Sequence, residues 1–225
     1  MTEIEKIVGK MGVEGLHFGS QRAMRHPSTV AFVFGTKNEI DIINLEKTHQ
    51  SLEKAKEFLR ALGKEGKKLL LVGNKSEARK VVMEVAISAK LPYVAERWIG
   101  GTLTNFDEIR KRVNRLIELT EKGSTALDKY TKRERTKIGH EIKDLERYFR
   151  GIEDMSELPA AMLVVDSDKE DIAVTEAGKI GIPVVSVSST DCDISKIKYP
   201  IVANDKSQTS IRYVVGELIK AYKNQ

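Results

Sequence analysis

Two segments of the chain carry side chains whose types and spacing suit a polyanionic partner. Residues 12–27, GVEGLHFGSQRAMRHP, set His17 and Phe18 among three glycines and follow them with Arg22, Arg25 and His26. Glycines let a backbone approach a surface closely. Rings stack on unpaired bases, and guanidinium groups pair with phosphate. The competing reading is that His17 and Phe18 only pack this stretch on the body. Residues 96–105, ERWIGGTLTN, place Arg97 beside the single tryptophan, Trp98. Trp98, Gly100, Gly101 and Thr102 read as a rigid hinge, while Arg97 and Asn105 join the nucleic-acid candidates. A third candidate is Lys75, in the string VGNKS over 72–76. It resembles half of a phosphate-binding loop, but Leu69 stands where the upstream glycine should be, so the backbone cannot wrap a phosphate chain. The amides there, with Lys75 and Arg79, could hold one phosphate of a polymer. The plainer reading is a strand-to-helix turn capped by Ser76.

Catalytic patterns find little support. The sequence has no G-x-G-x-x-G and no G-x-S-x-G. His140-Glu141 begins a zinc-protease string, but Asp144 replaces its second histidine. Cys192, the single cysteine, has no neighbouring histidine, and the four histidines are scattered. Asp191, Asp193 and Asp205 follow adjacent predicted strands and form a weak candidate set for a cation, with turn caps as the plainer reading. No cofactor is called for.

These residues need elements to position them. The apolar runs at 67–72, 92–95, 161–165, 183–187 and 199–203 are continuous rather than alternating, as in strands covered on both faces. Helix-length segments at 76–89, 170–179 and 207–221 separate or follow them, which predicts a parallel sheet with crossover helices. Upstream, Val30–Phe34 and Asp41–Ile43 flank a turn at Thr36-Lys37-Asn38, predicting a hairpin attached to the sheet, and 45–62 reads as a further helix. Between 104 and 156 the pattern changes. Phe106, Ile109, Val113, Leu116 and Thr120 step by three and four, as do Ile138, Ile142, Leu145, Phe149 and Ile152. This predicts two antiparallel helices joined by a short connector at 122–131. The expected domains are therefore a discontinuous α/β body, 1–103 and 157–225, and a coiled-coil insert, 104–156. Between 104 and 150 lie thirteen bases and nine acids, a surplus of four positive charges. Arg110, Lys111, Arg112 and Arg115 sit on its first helix and join the nucleic-acid candidates.

Composition bounds the class. The chain has 225 residues, 32% of them charged, and a net charge of +5. No stretch approaches 18 consecutive apolar residues, so no membrane span is expected. The opening MTEIEKIVGKMG mixes acids and bases, unlike a secretory leader. One cysteine excludes a disulfide framework and favours a cytoplasmic home.

The strings GLHFG at 15–19, RWIGGTLTNF at 97–106, RKR at 110–112, LPAAMLVVD at 158–166 and TDCD at 190–193 occur in order. With them stand G-I-x-D-M at 151–155, E-A-x-K-I-G-I-P-V-V at 176–185, and N-D and S-I-R between 204 and 212. Together they resemble the bacterial and organellar family of small-subunit ribosomal protein two, from about residue 9 to 222. The resemblance implies a flavodoxin-like parallel sheet flanked by helices, with an inserted antiparallel coiled-coil hairpin. It further implies a structural, non-enzymatic constituent of the small ribosomal subunit, lying between head and body. There it would contact ribosomal RNA and neighbouring ribosomal proteins, and dock the large protein that recruits messenger RNA. No small-molecule substrate or membrane is implied. Ser20 replaces the second histidine of the family's H-F-G-H, Ala23–Ser28 departs from its usual pattern, and Lys206 replaces an aspartate. Two other classes compete: a nucleotide-dependent α/β enzyme using strand ends near Gly73, Asp166 and Asp191, and a coiled-coil adaptor with no RNA role.

Overall fold

The computed structural model describes residues 3–123 and 131–223. In chain order the elements are α1 (Glu3–Val13), β1 (Phe18–Gln21), β2 (Val33–Lys37), β3 (Ile40–Ile43), α2 (Leu45–Lys64), β4 (Leu69–Val72), α3 (Ser76–Ala89) and β5 (Tyr93–Val94). They continue as α4 (Phe106–Gly123), α5 (Lys132–Phe149), β6 (Ala161–Val165), α6 (Asp171–Ile180), β7 (Val184–Ser188), β8 (Tyr199–Val202) and α7 (Gln208–Lys223).

The five continuous apolar runs form one parallel sheet, ordered β5-β4-β6-β7-β8. Counted within the sheet this is 2-1-3-4-5, the strand order of flavodoxin-like doubly wound folds. Every residue of β4, β6 and β7 is buried. Side chains alternate between two covered faces. Leu69, Leu71, Ala161, Leu163, Val165, Val185 and Val187 meet α2, α3 and α7. Leu70, Val72, Met162, Val164 and Val184 share a cluster with Trp98, α4, the end of α5 and α6. The continuity of these runs follows from that double cover.

The predicted hairpin is present, but it does not attach to the parallel sheet. β2 and β3 turn through Asn38 and Glu39, both at positive φ, and pair with β1 in a separate antiparallel sheet ordered β1-β3-β2. The β1 strand lies inside the stretch read as a loop. Its sequence FGSQ carries one glycine and no apolar run, so neither strand pattern marks it. Gly19 is required there: a Cβ would stand 2.9 Å from the Thr190 side chain, where this small sheet meets the body.

Helices α4 and α5 have 18 residues each, about 27 Å at 1.5 Å per residue. They run antiparallel, with Arg110 beside Glu153 and Arg115 beside Glu141. Ile109, Val113 and Leu116 are buried as the spacing predicts. Thr120 is exposed and its hydroxyl donates to the Leu116 carbonyl; the buried position is Leu119. A threonine that satisfies itself on its own helix has no need of the seam. Thr131 and Glu134 form a capping box at the start of α5. Of the connector read at 122–131 with its turn at Gly123-Ser124-Thr125, Lys122 and Gly123 continue α4 and Thr131 caps α5, while 124–130 lie outside the described residues.

Candidate nucleic-acid interface

The first candidate segment divides in two. Phe18 is 47% exposed, its ring 4.0 Å from that of His17. Arg22 is exposed, with no side-chain partner among the described residues. Arg25, in contrast, is spent internally. Its Nε donates to Asp41 Oδ2 at 2.6 Å, its Nη2 to Asp41 Oδ1, and the same nitrogen to Thr36 at 3.0 Å. Asp41 is fully buried, and the Arg25 guanidinium holds its carboxyl below the usual range against the opposing effect of burial. His26 caps a 3-10 turn: Nδ1 lies 2.8 Å from Ser28 Oγ and accepts from the Ser28 amide. Arg25 and His26 therefore fix the small sheet, leaving Phe18 and Arg22 to face outward.

The reading of Lys75 is corrected outright. It is 9% exposed, and its ammonium points inward across the carboxyl ends of the strands. Nζ stands 2.8 Å from Asp166 Oδ2 and 3.0 Å from Asp205 Oδ1. Burial alone would lower its pKa, but the two carboxylates override this and hold it up to about 12. Asp166 keeps a left-handed φ of 68°, and its Oδ1 accepts the Lys169 amide at 3.1 Å. A non-glycine residue in that region stores strain that its surroundings must offset. Burial works to raise the Asp166 carboxyl, yet the Lys75 ammonium brings it below the usual range. Asp205, deeper and next to Asp166, is pushed up to about 6. The Asn74 amide, which the phosphate reading needed, donates instead to Glu170 Oε1 at 2.8 Å. Nor is Ser76 the cap: Lys75 holds that position without a side-chain bond, and Ser76 Oγ turns to Glu77.

The weak cation set also comes apart. Asp191 faces Lys206 at 3.8 Å, and Asp193 accepts the Ser195 amide at 2.9 Å with His26 at 3.8 Å. Only Asp205 of the three enters the interior. Its neighbours there are Asp166 and Cys192, whose ligand-type atoms all lie within 4.8 Å of one another. The Lys75 ammonium already bridges both carboxylates, so the space between them is taken by the protein's own cation. Burial, reinforced by the neighbouring carboxylates, pushes the Cys192 thiol up to about 12, which removes it as a nucleophile.

The second segment is organised by a residue that sequence reasoning missed. Glu176 on α6 receives the Trp98 indole N–H (3.3 Å), the amides of Gly101 (2.7 Å), Leu103 (3.0 Å) and Thr104 (3.2 Å), and the Thr104 hydroxyl (3.3 Å). Burial works to raise its carboxyl, but these donors together hold it below the usual range. The loop that launches α4 is thus wound around one carboxylate. Trp98 is buried, Gly101 takes φ 91°, and Thr102 Oγ1 donates to the Ile99 carbonyl at 2.6 Å. Gly100 has open space about it, so sterics do not require a glycine there. The available signal was an acid at 176 among buried Ala173, Val174 and Ala177, on the apolar face of its own helix. Arg97 and Asn105 stand exposed, and no side-chain bond engages them among the described residues.

The four bases of α4 differ in the same way. Arg110 Nη1 donates to the carbonyls of Glu153 (2.6 Å) and Met155 (3.2 Å), stitching the return of the chain toward β6. Lys111 pairs with Glu108 and Arg115 with Glu141 across the helix pair, both on exposed faces. Arg112 is exposed and carries no such bond among the described residues.

The carboxyl ends of the strands are occupied by internal ion pairs, while Arg97 at the hinge and Arg112 on α4 stand open, in a doubly wound α/β protein. Comparison with known proteins supplies the family. A model of the family described as "Ribosomal protein S2" matches residues 13–225, and the chain belongs to that family. Among the relatives named "Small ribosomal subunit protein uS2", that of Coprothermobacter proteolyticus is 40% identical over 210 residues, 92% of this chain and 78% of the relative. That of Roseiflexus castenholzii is 42% identical over 208 residues, 92% of this chain and 79% of the relative. That of Salinispora arenicola is 44% identical over 193 residues, 85% and 69%.

Proposed function

We propose that this chain is a structural constituent of the small ribosomal subunit that supports translation by adhesion and not by turnover. The observation that carries this reading is membership of the ribosomal protein family across residues 13–225. Arg22, Arg97 and Arg112, with Phe18 and Asn105, supply its outward contacts to ribosomal RNA. Lys111 and Arg115, paired on exposed faces, can exchange their carboxylate partners for phosphate. Helices α4 and α5 act as a coiled-coil prong, set by the Glu176-centred hinge, and the α/β body spans between head and body of the subunit against neighbouring ribosomal proteins. The partner surface extends to the large protein that recruits messenger RNA. Its home is the bacterial cytoplasm, and no helix of the described residues is long and apolar enough to cross a membrane.

Sucrose-gradient sedimentation of the tagged chain tests the reading. It is expected to co-migrate with the small subunit and to be released by high salt. Were six phosphates neutralised, the logarithm of affinity would fall against the logarithm of salt with a slope of about −4 to −5. A chain that stays at the top of the gradient, or a slope near zero, overturns it.

A further inference from the structure

A groove of about 340 Å³ lies between α3, the edge strand β5 and the end of α5, touching the second candidate segment only at Glu96. Its floor is flat and apolar: Tyr93 and Val94 of the edge strand, with Met83, itself 39% exposed. Gly151 sets the depth. The chain passes so near β5 that a Cβ at this position would stand 2.2 Å from the Tyr93 carbonyl. Tyr148 adds a second ring, and the Arg147 guanidinium lies 5.5 Å from its centroid.

The rim is cationic. Arg79 and Lys80 come from α3, Arg147 and Arg150 from the end of α5. Against these four bases stand two acids, Glu96 and Glu146. Glu96 is held by two guanidinium groups, with Arg79 Nη1 at 3.1 Å and Arg147 Nε at 3.5 Å. The pair is thereby oriented over the groove without using the other two bases. Arg150 makes no side-chain hydrogen bond among the described residues, and Lys80 has only a 3.9 Å approach to Glu84.

We infer that this groove binds an unpaired nucleotide of an RNA strand, its base against Tyr93, Met83 and Tyr148 and its phosphate on Arg150 and Lys80. The chemistry favours this occupant over a protein segment. Two rings beside an apolar floor suit the π-face of a base, which stacks without regard to sequence, and spare cations on both walls suit the phosphate that follows it. An A-form duplex keeps its bases stacked inside and cannot fill the floor. The inference rests on the RNA-binding reading above and adds a single-stranded site to it.

The test uses the purified full-length chain and a single-stranded octanucleotide containing 4-thiouridine. Irradiation followed by peptide mapping is expected to place the crosslink at Met83, Tyr93 or Tyr148. Arg150→Glu is expected to weaken binding about tenfold in fluorescence anisotropy. Tyr148→Ala should do likewise while Tyr148→Phe retains the ring and the affinity. Crosslinks confined to other surfaces, or an Arg150→Glu variant with unchanged affinity, overturn the inference. So does the same groove crosslinking to a protein and not to RNA in assembled subunits. Sedimentation of these variants separates the two claims: a chain that co-migrates with the subunit but fails the crosslink loses only the groove.

Discussion

The carboxyl end of the parallel sheet and the root of α4 use charge in opposite ways. At the carboxyl ends of the strands, Lys75, Asp166 and Asp205 are withdrawn from water and paired through the one ammonium. At the root, a single buried carboxylate, Glu176, is spent on amides, and the cations above it, Arg97 and Arg112, are left in solvent. Doubly wound sheets usually place ligand chemistry at the carboxyl ends of their strands. Here that location is filled by the protein's own ion pairs, and the surface charges are moved to the helix pair. Fold alone therefore does not separate the carboxylates and lysine that close on one another from the arginines that stay in solvent; their side-chain partners do.

That contrast can be broken at several points. Lys75→Ala leaves two buried carboxylates without their cation. It is expected to cost about 3–5 kcal/mol, read as a drop in denaturant midpoint; a loss below about 1 kcal/mol would mean that water reaches the network. Glu176→Ala strands the amides of Gly101, Leu103 and Thr104 and should cost about 2–4 kcal/mol, with Glu176→Gln recovering part of it. Because the Glu176 carboxyl is held below the ordinary range in the fold, its contribution is present at neutral pH and is lost as pH falls through its folded pKa.

Glu170 behaves in reverse. Burial raises its carboxyl from 4.5 to about 7. The stability tied to its protonated form is complete below about pH 4.5 and fades as pH rises through about 7, with a ceiling of about 3 kcal/mol. Glu170→Gln keeps an acceptor for the Asn74 amide. It should flatten this part of the stability–pH curve and leave the variant more stable than the parent at pH 8. Identical curves for the two proteins would refute the assignment. Smallest in stability is Arg112→Glu, expected within about 0.5 kcal/mol of the parent. Its effect should appear in RNA affinity instead, with the salt slope reduced by about 1 or more. Arg110→Ala sharpens the distinction: two carbonyls lose their donor, so it should destabilise the fold by about 1–2 kcal/mol.

How much of this was legible in the sequence depends on range. The parallel sheet could be read because burial on both faces writes itself into consecutive residues, as in LLLV at 69–72. The helix pair could be read from its three-and-four spacing, except at Leu119, where a threonine took the expected seam position. The hinge string at 97–106 announced itself through Trp98 and two glycines, but its organiser lies more than seventy residues away on α6. No local pattern couples Glu176 to Gly101. Lys75 was misread for the same reason, since its two partners follow β6 and β8 and only the folded topology brings them together. Arg25 shows the shorter-range case: nothing in RAMRHP tells that its guanidinium belongs to Asp41.

Cys192 carries a practical consequence. It is the chain's single cysteine, 1% exposed, and its thiolate is suppressed by burial beside carboxylates. A thiol-alkylating reagent can reach it only when the strand ends part. The rate of that reaction at fixed pH would therefore serve as a built-in clock for how often this part of the molecule opens, both in the isolated chain and after incorporation into a particle.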